Sequence, residues 1–479
     1  MDAEEFRKWG KFMIDYVADY WSTLRTRKPY AGVKPGYLRQ LVPRNAPDKG
    51  ESWESIFADL ENVIMEGVTH WHHPCFFAYF PSGNSYPSVI GDILSSGIAA
   101  LGFTWASSPA YTELEMAMMD WLAKMIGLPE KFLYTHSGPG GGIIQGSASE
   151  CVHLSMMAAR KWVLRDSTDG QDSGKLVAYA SEQAHSSVER AALLNCVKFC
   201  PVKSDDLCRM TAAALEEAIQ KDKEAGLIPF FVCATLGTTA CCAVDCLAEI
   251  GPLCSKIGVW LHVDGAYGAS AAICHEYRWI MQGIEYADTI TQNPHKALMV
   301  NCDCSAFWMK DCRRIEQVCT VNPQYLNYQQ QGTCPDLKNL SVPHGRRLRA
   351  LKLWFTIRIY GTEGLRKTFR KYCTMAQYFS SLVIKDPRFE IFQPTAFGVV
   401  CLRMKGSNEI NEKLAHMLIE ARDIHFVTVT LHGKFYIRIN ISSSATEMSD
   451  MDFTWMKIRL GADEVLHAST DICNSEAVA

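Results

Sequence analysis

Nowhere does the chain hold an apolar run of about 18 uninterrupted residues, so no membrane-spanning helix is expected. An excess of one charge is missing as well. Lys plus Arg number 48 against 52 Asp plus Glu, a formal net charge of -4, which offers no footprint for nucleic acid or an anionic membrane. Internal repeats and low-complexity tracts are absent. With 48% hydrophobic and 21% charged residues, neither a disordered nor a collagen-like chain fits. The start, Met1-Asp2-Ala3-Glu4-Glu5, is acidic where a signal peptide is basic, so a cytoplasmic protein is expected. Cysteine, by contrast, is plentiful at 19 residues. The number is odd and stays below the roughly 8–10% of a disulfide scaffold, so the cysteines read as thiols in a reducing compartment.

At about 150 residues per domain, 479 residues make roughly three domains. Residues 1–28 have helical spacing, with Phe6, Trp9, Met13, Tyr16, Val17 and Tyr20 on one stripe and Arg7, Lys8, Lys11 and Asp15 opposite. Such a stripe suits a helix packed on its own core and equally one packed on a second subunit. Pro29, Pro35, Pro43 and Pro47 exclude a continuous helix over 29–50 and set off an N-terminal arm. The short apolar runs Leu176–Ala180, Pro229–Ala234 and Val259–Val263 read as strands buried on both faces. Between them, Ala214, Leu215, Ala218 and Ile219 make one helical stripe within Thr211–Glu224. This alternation predicts an α/β fold with a mostly parallel sheet. Beyond Trp354, strand-like Phe397–Leu402 and Phe435–Ile441 and helices near 370–383 and 409–422 predict a small α+β domain. The expected division is an arm over 1–84, a large domain over 85–353 and a small domain over 354–479.

Four short segments hold chemistry-bearing groups. Ser137-Gly138-Pro139-Gly140-Gly141-Gly142 precedes Gln145-Gly146-Ser147-Ala148-Ser149-Glu150, in which Ser147 and Glu150 have capping-box spacing. A helix start offers free amides and a positive dipole end to an anion such as phosphate, and glycines let backbone approach a ligand. Taken alone, this is more often an ordinary loop before a helix, and it has neither GxGxxG nor Walker A form. In Trp260-Leu261-His262-Val263-Asp264-Gly265-Ala266-Tyr267 an apolar strand runs into a carboxylate, at the end where α/β sheets bind ligands. Asp264 buried there needs a cationic partner; the plainer alternative is a helix N-cap. In Asn293-Pro294-His295-Lys296 the lysine precedes apolar Ala297–Val300. Burial lowers a lysine pKa from about 10.4 and makes a nucleophile, although a lone lysine is more often a solvated one. Finally, His185 in Gln183-Ala184-His185-Ser186-Ser187 follows a predicted strand, where it serves to stack on a planar ligand, to move a proton, or simply as a structural histidine. Together these groups are the parts of a pyridoxal-phosphate (PLP) site, and jointly they are far more specific than singly.

At this point the chain resembles the animal aromatic L-amino acid decarboxylases, PLP-dependent group II enzymes that also include histidine decarboxylase. The resemblance runs nearly end to end, through Pro35-Gly36-Tyr37-Leu38-Arg39, Gly67-Val68-Thr69-His70-Trp71, Tyr79-Phe80-Pro81, Thr112-Glu113-Leu114-Glu115, Gln183–Glu189 and Asn293–Lys296. It implies the PLP-transferase fold (aspartate aminotransferase-like, fold type I). It further implies an obligate homodimer with active sites at the subunit interface and an N-terminal arm laid on the partner. By position it implies Lys296 as the Schiff-base lysine, Asp264 at the pyridine nitrogen and His185 stacked on the ring. Ala148 and Ser149 are implied at the phosphate, with Thr239, Ala266, Asn293 and His295 completing the cofactor's surroundings. Trp71, Tyr79, Phe80, Pro81, Leu101 and Phe103 are implied as walls around the substrate ring, and Tyr325, on a mobile loop, as the proton donor.

The expected reaction is therefore loss of CO2 from an aromatic amino acid, leaving an amine. Two branches of the family form aldehydes instead, one with Phe in place of the loop tyrosine and one with Asn in place of the stacking histidine. Tyr325 and His185 favour the decarboxylase, while Gly138-Pro139-Gly140 resembles the insect aldehyde-forming branch. Gly345, in Pro343-His344-Gly345-Arg346-Arg347, and Phe80 differ from the Ser and Tyr of histidine decarboxylases and favour dopa, tyrosine or 5-hydroxytryptophan; the loop length from Tyr325 to Pro343 fits histidine decarboxylases better. Ala297 replaces a usual Trp, Gly265 an Ala, and Cys302 a Phe. These departures reshape the pocket, with Cys302 at its wall, and leave a weakly active PLP-binding homologue as a third reading. No metal is expected: His70, His72, His73 and Cys75 lack a second ligand pair.

Overall fold

The computed structural model describes residues 1–166, 172–321, 323–329, 331–393, 395 and 397–476. Eleven strands are present: β1 (Gly141–Gln145), β2 (Leu176–Ser181), β3 (Lys198–Val202), β4 (Ile228–Thr235), β5 (Trp260–Asp264), β6 (Thr289–Gln292), β7 (Ser305–Met309), β8 (Phe389–Ile391), β9 (Val399–Met404), β10 (Val427–Leu431) and β11 (Lys434–Asn440). The first seven form one sheet in the order β1-β7-β6-β5-β4-β2-β3, and the last four form another in the order β10-β11-β9-β8. Within the large sheet β2, β3, β4, β5 and β6 run parallel, and β7 is antiparallel to both its neighbours. The runs expected as buried strands are β2, β4 and β5, and the expected helix is Ala212–Glu224. This is the α/β class read from the sequence.

Chain contacts divide the described structure into two units, Met1–Pro81 with Met375–Phe392 and Val400–Ala479, and Ser82–Thr374 with Gln393–Val399. The three-segment division expected from the sequence differs from this in two places. Residues 1–81 belong with the C-terminal segments, and the later boundary falls at Thr374, inside the helical stretch Arg349–Ile384. That stretch is two helices meeting at Gly361, whose φ of 63° is open to glycine. Residues Ala3–Ser22 are helical as expected, capped by Asp2 and Glu5 in a reciprocal box, but the helix has no buried residue. Trp9 of its stripe stacks on Trp53 and Phe57, Tyr16 bonds Glu61 at 2.6 Å, and Phe6, Phe12, Met13 and Ile14 stay exposed.

Two rows of side chains cross the face of the large sheet that β5 shares with Asp264. Thr235, Asp264 and Thr291 stand in register on β4, β5 and β6, and Cys233, His262 and Thr289 make the row below. The helix Ala148–Val163 contributes Cys151, Leu154 and Ala159 to the core cluster that also holds Cys233, Trp260 and Phe307. Its start lies six residues after Gly142 of β1. In the Gly-rich run, a Cβ on Gly140 would sit 1.8 Å from Lys131 O, one on Gly141 2.5 Å from the Tyr134 ring, and one on Gly142 2.7 Å from the Trp308 ring. Those glycines let strand and core pack closely.

No helix among the described residues is long and apolar enough to cross a membrane. None of the 18 cysteines before residue 468 forms a disulfide. In the histidine cluster near residue 70, His70 Nδ1 lies 2.9 Å from the Tyr20 hydroxyl and His73 Nδ1 accepts from Cys75 N, so those nitrogens have protein partners.

Candidate active site

Parallel strands deliver their carboxyl ends to one edge, and the loops there carry the residues singled out above. Asp264 ends β5 and is 7% exposed; its Oδ1 accepts the Ala266 amide at 3.0 Å. Gly265 is the residue that permits this turn, because a Cβ there would meet Ala269 Cβ at 2.5 Å and Thr291 O at 3.0 Å. After β6, Asn293 caps the short helix Pro294–Ala297, which holds His295 and half-buried Lys296. His295 Nδ1 accepts the Cys304 amide at 2.9 Å. Burial first, and then the charge of Lys296, push its pKa down to about 4, so the ring is neutral at physiological pH. Asn293 N donates to Ala266 O at 3.1 Å, tying the lysine turn to the aspartate turn.

His185 follows β2 and is exposed, with Nδ1 2.9 Å from Ser187 Oγ. Desolvation by the surrounding atoms lowers its pKa; Asp264 opposes that shift and Lys296 reinforces it, which puts both within electrostatic reach of His185. Thr239 lies exposed in the loop after β4. On the neighbouring edge, Ser147 Oγ accepts the Glu150 amide at 3.2 Å, and Glu150 Oε2 accepts Gly146 N at 3.0 Å. The capping box therefore closes on the residue before the cap. Helix geometry leaves the amides of Ala148 and Ser149 without intrahelical partners, at the positive end of a 16-residue helix.

The expected substrate residues fall in two groups. In the first unit, Trp71 stacks on Phe76 and on Tyr79, both at 5.4 Å, the Arg438 guanidinium lies over Phe80 at 4.6 Å, and Pro81 is buried. In the second, Gly102 N donates to Arg346 O at 3.3 Å and Lys338 N to Phe103 O at 3.0 Å, which pins Leu101 and Phe103 beside the 337–346 segment. Gly345 has room: a Cβ there would reach only Leu101 Cδ1, at 4.0 Å. Cys302 is exposed, and its amide donates to Ser82 Oγ at 3.2 Å. Ala297 is closed off from solvent at 2% exposure. Tyr325 stands in the turn Gln324–Leu326, 81% exposed, and is not gathered with the other groups.

Three supporting groups had no role in the sequence reading. Glu115 and Arg346 form an ion pair with side chains 4% and 2% exposed, and Glu115 also accepts Ile144 N at 2.8 Å. Arg349 bonds Asp303 at 2.7 Å next to Gly146. Asp245 accepts the amides of Thr235 and Met210, each at 2.7 Å, and burial raises its pKa to about 7. Both members of the buried pair lie in segments that stood out in the sequence, but a charge shows no partner until the chain is folded.

The residues present can be tested against a bound cofactor. A carboxylate buried at the end of a central strand matches a protonated pyridine nitrogen. Asn293 Oδ1, buried without a hydrogen-bond partner among the described residues, offers a further polar atom. A helix start free of side-chain bulk at Ala148 matches a phosphate. The groups fit, and fold and site together define an α/β enzyme of the pyridoxal-phosphate class.

Comparison with known proteins narrows the class. Residues 35–405 match the pyridoxal-dependent decarboxylase conserved domain. The chain is 48% identical over 480 aligned residues to an aromatic-L-amino-acid decarboxylase of Rattus norvegicus, covering 98% of this chain and 100% of that one. Among solved structures it is similar to the TDC of Oryza sativa with PLP and tryptamine (TM-score 0.95, 34% identity, 97% and 99% covered). It is also similar to 4-hydroxyphenylacetaldehyde synthase of Rhodiola rosea (TM-score 0.91, 36% identity, 97% and 99% covered). The chain belongs to the pyridoxal-dependent decarboxylase family, and its cofactor is pyridoxal phosphate.

Because Glu115 and Arg346 are both out of solvent, removing one leaves the other as an unpaired buried charge. Glu115→Gln is expected to lower the free energy of unfolding by about 3–5 kcal/mol. Chemical denaturation of both proteins measures this, and a loss under about 1 kcal/mol would mean the pair is not isolated from water.

Proposed function

We propose that the protein decarboxylates an aromatic L-amino acid, of the dopa, tyrosine or 5-hydroxytryptophan class, to the corresponding amine. The observation carrying this reading is the placing of Asp264 and Lys296 after adjacent strands, both within electrostatic reach of His185, in a chain nearly half identical to a rat aromatic-L-amino-acid decarboxylase. When bound, pyridoxal phosphate supplies a sink for the electron pair left as CO2 departs. Asp264 holds a proton on the ring nitrogen, since a buried carboxylate favours the cationic N–H. His185 covers the ring face, and its depressed pKa keeps it neutral there. The amides of Ala148 and Ser149 hold the phosphate, with Thr239, Ala266, Asn293 and His295 around it. Lys296 is the covalent attachment point, and its Nζ carries protons between turnovers. Tyr325 delivers the proton from its hydroxyl to the substrate Cα once its loop closes and excludes water.

For the substrate, Leu101, Phe103, Cys302 and Gly345 are assigned to the side-chain ring, Gly345 leaving the space that a serine would occupy. The aromatic cluster of Trp71, Tyr79 and Phe80 is assigned to ring binding as well. A homodimer with its active sites at the interface belongs to the same reading. It is supported by the helix Tyr86–Ile98, which exposes Tyr86, Ile90, Ile93, Leu94 and Ile98 on one apolar face, and by the uncovered face of Ala3–Ser22. A cytoplasmic location is supported by described cysteines that form no disulfide. Aldehyde formation is the second reading, favoured by the likeness to an acetaldehyde synthase and by Gly138-Pro139-Gly140.

Three measurements test this. Purified protein with PLP and a panel of dopa, tyrosine, tryptophan, 5-hydroxytryptophan and histidine is expected to release CO2 and amine from the larger aromatics; Lys296→Ala is expected to retain no cofactor after borohydride reduction. Peroxide and ammonia with oxygen uptake would instead mark the aldehyde reading, and no CO2 from any substrate would refute both. Tyr325→Phe is expected to shift product from amine towards aldehyde; amine alone would remove Tyr325 from the proton transfer. Sedimentation is expected to give twice the 53.7 kDa chain mass, and Leu94→Asp to give the monomer.

A further inference from the structure

A set of polar groups in the core of the second unit is used by none of this chemistry. Trp260, His262 and Asp264 lie on one face of β5 by strand alternation, and the helix Ala148–Val163 brings buried Ser155 to Trp260. Trp260 Nε1 donates to Ser155 Oγ at 3.0 Å and more weakly to Thr289 Oγ1 at 3.4 Å. Ser155 Oγ lies 2.6 Å from Thr289 Oγ1, which lies 2.9 Å from His262 Nδ1. Ser155, His262 and Thr289 are each 0% exposed. One turn earlier on the helix, Cys151 sits beside Thr291, the register neighbour of Asp264.

An indole N–H can only donate, so Trp260 gives its hydrogen to Ser155, while the Ser155–Thr289 and Thr289–His262 contacts each hold one hydrogen whose side is set by the hydroxyl rotamers and the His262 tautomer. Burial keeps the His262 ring neutral, with a pKa of about 4. Apolar packing alone lets a helix shift along a sheet by fractions of an ångström. A buried ladder of hydrogen bonds does not, because these bonds weaken steeply with distance and angle and no water is present to replace them.

The ladder joins the helix that begins at Ala148, through Ser155, to the strand that ends at Asp264, through Trp260 and His262. Ser155 stands two turns, about 10.5 Å, along the helix from Ala148. His262 stands about 6.6 Å along the strand from Asp264. We propose that Ser155 and Thr289 are positioning residues, and that the Trp260–Ser155–Thr289–His262 ladder sets the distance between the phosphate-holding amides of Ala148 and Ser149 and the carboxylate of Asp264. The proposal rests on the cofactor contacts assigned above. A ladder set correctly lets one molecule of pyridoxal phosphate meet both anchors at once; a slipped helix strains one of them.

The test is made on full-length holoenzyme. Thr289→Val removes the central hydroxyl at nearly constant volume, Thr289→Ser restores it, and Ser155→Ala removes the helix's hydroxyl while raising helix propensity. Release of cofactor after dilution is followed together with the visible circular dichroism of the bound cofactor and with thermal stability. Thr289→Val is expected to release cofactor at least tenfold faster with an altered visible band. Thr289→Ser is expected within about twofold of wild type, and Ser155→Ala several-fold faster with a lowered melting temperature, the altered visible band separating lost positioning from lost stability. Wild-type release rates and bands in Ser155→Ala and Thr289→Val would overturn the proposal, as would equal losses in Thr289→Ser and Thr289→Val. If Thr289→Val fails to fold, Ser155→Ala decides by the same criterion. A wild-type protein that binds no cofactor would overturn the cofactor contacts themselves, an outcome distinct from an unaffected variant.

Discussion

A carboxylate taken out of water at the end of a central strand has to be answered by a positive charge or by hydrogen bonds, and Asp264 imposes that condition on the large unit. The parallel arrangement of β2, β4, β5 and β6 is what makes an answer possible, because it brings the turns after four strands to one edge. Lys296 arrives after β6 and His185 after β2, while the tight Gly265 turn fixes where the carboxylate stands. The start of the helix Ala148–Val163 adds amides without intrahelical partners, with Glu150 of its first turn accepting from Gly146 N.

Burial then sorts the titrating groups. The desolvation that holds His295 and His262 near 4 and depresses His185 removes three imidazolium charges from the surroundings of Asp264 and Lys296. Glu115 and Arg346 work at a different level: their pair links β1, through Ile144 N, to the 101–103 segment, through Arg346 O.

Much of the large sheet was legible because strands buried on both faces read as continuous apolar runs; β2, β4 and β5 fall where those runs are. β1 was not, since Gly141 and Gly142 look like loop until Trp308 and Tyr134 are packed on them. The grouping of residues 1–81 with the C-terminal segments was likewise invisible, because local spacing shows that a helix has an apolar stripe and not what the stripe meets. Among site residues, Lys296, Asp264, His185 and the Ser147–Glu150 helix start stood out through motif and spacing. Asp245, the Asp303–Arg349 pair and the Ser155–Thr289 contact did not, each being a meeting of residues far apart in the chain.

The sequence alone determined the family, the cofactor and the identity of the groups available for chemistry, because those rest on residue types in short segments at strand ends. Tertiary structure alone decided which of them share an environment. Whether a carboxylate is answered, an imidazole neutral or a helix held at a set depth depends on distances across the core, and such distances are created only when the strands come into register.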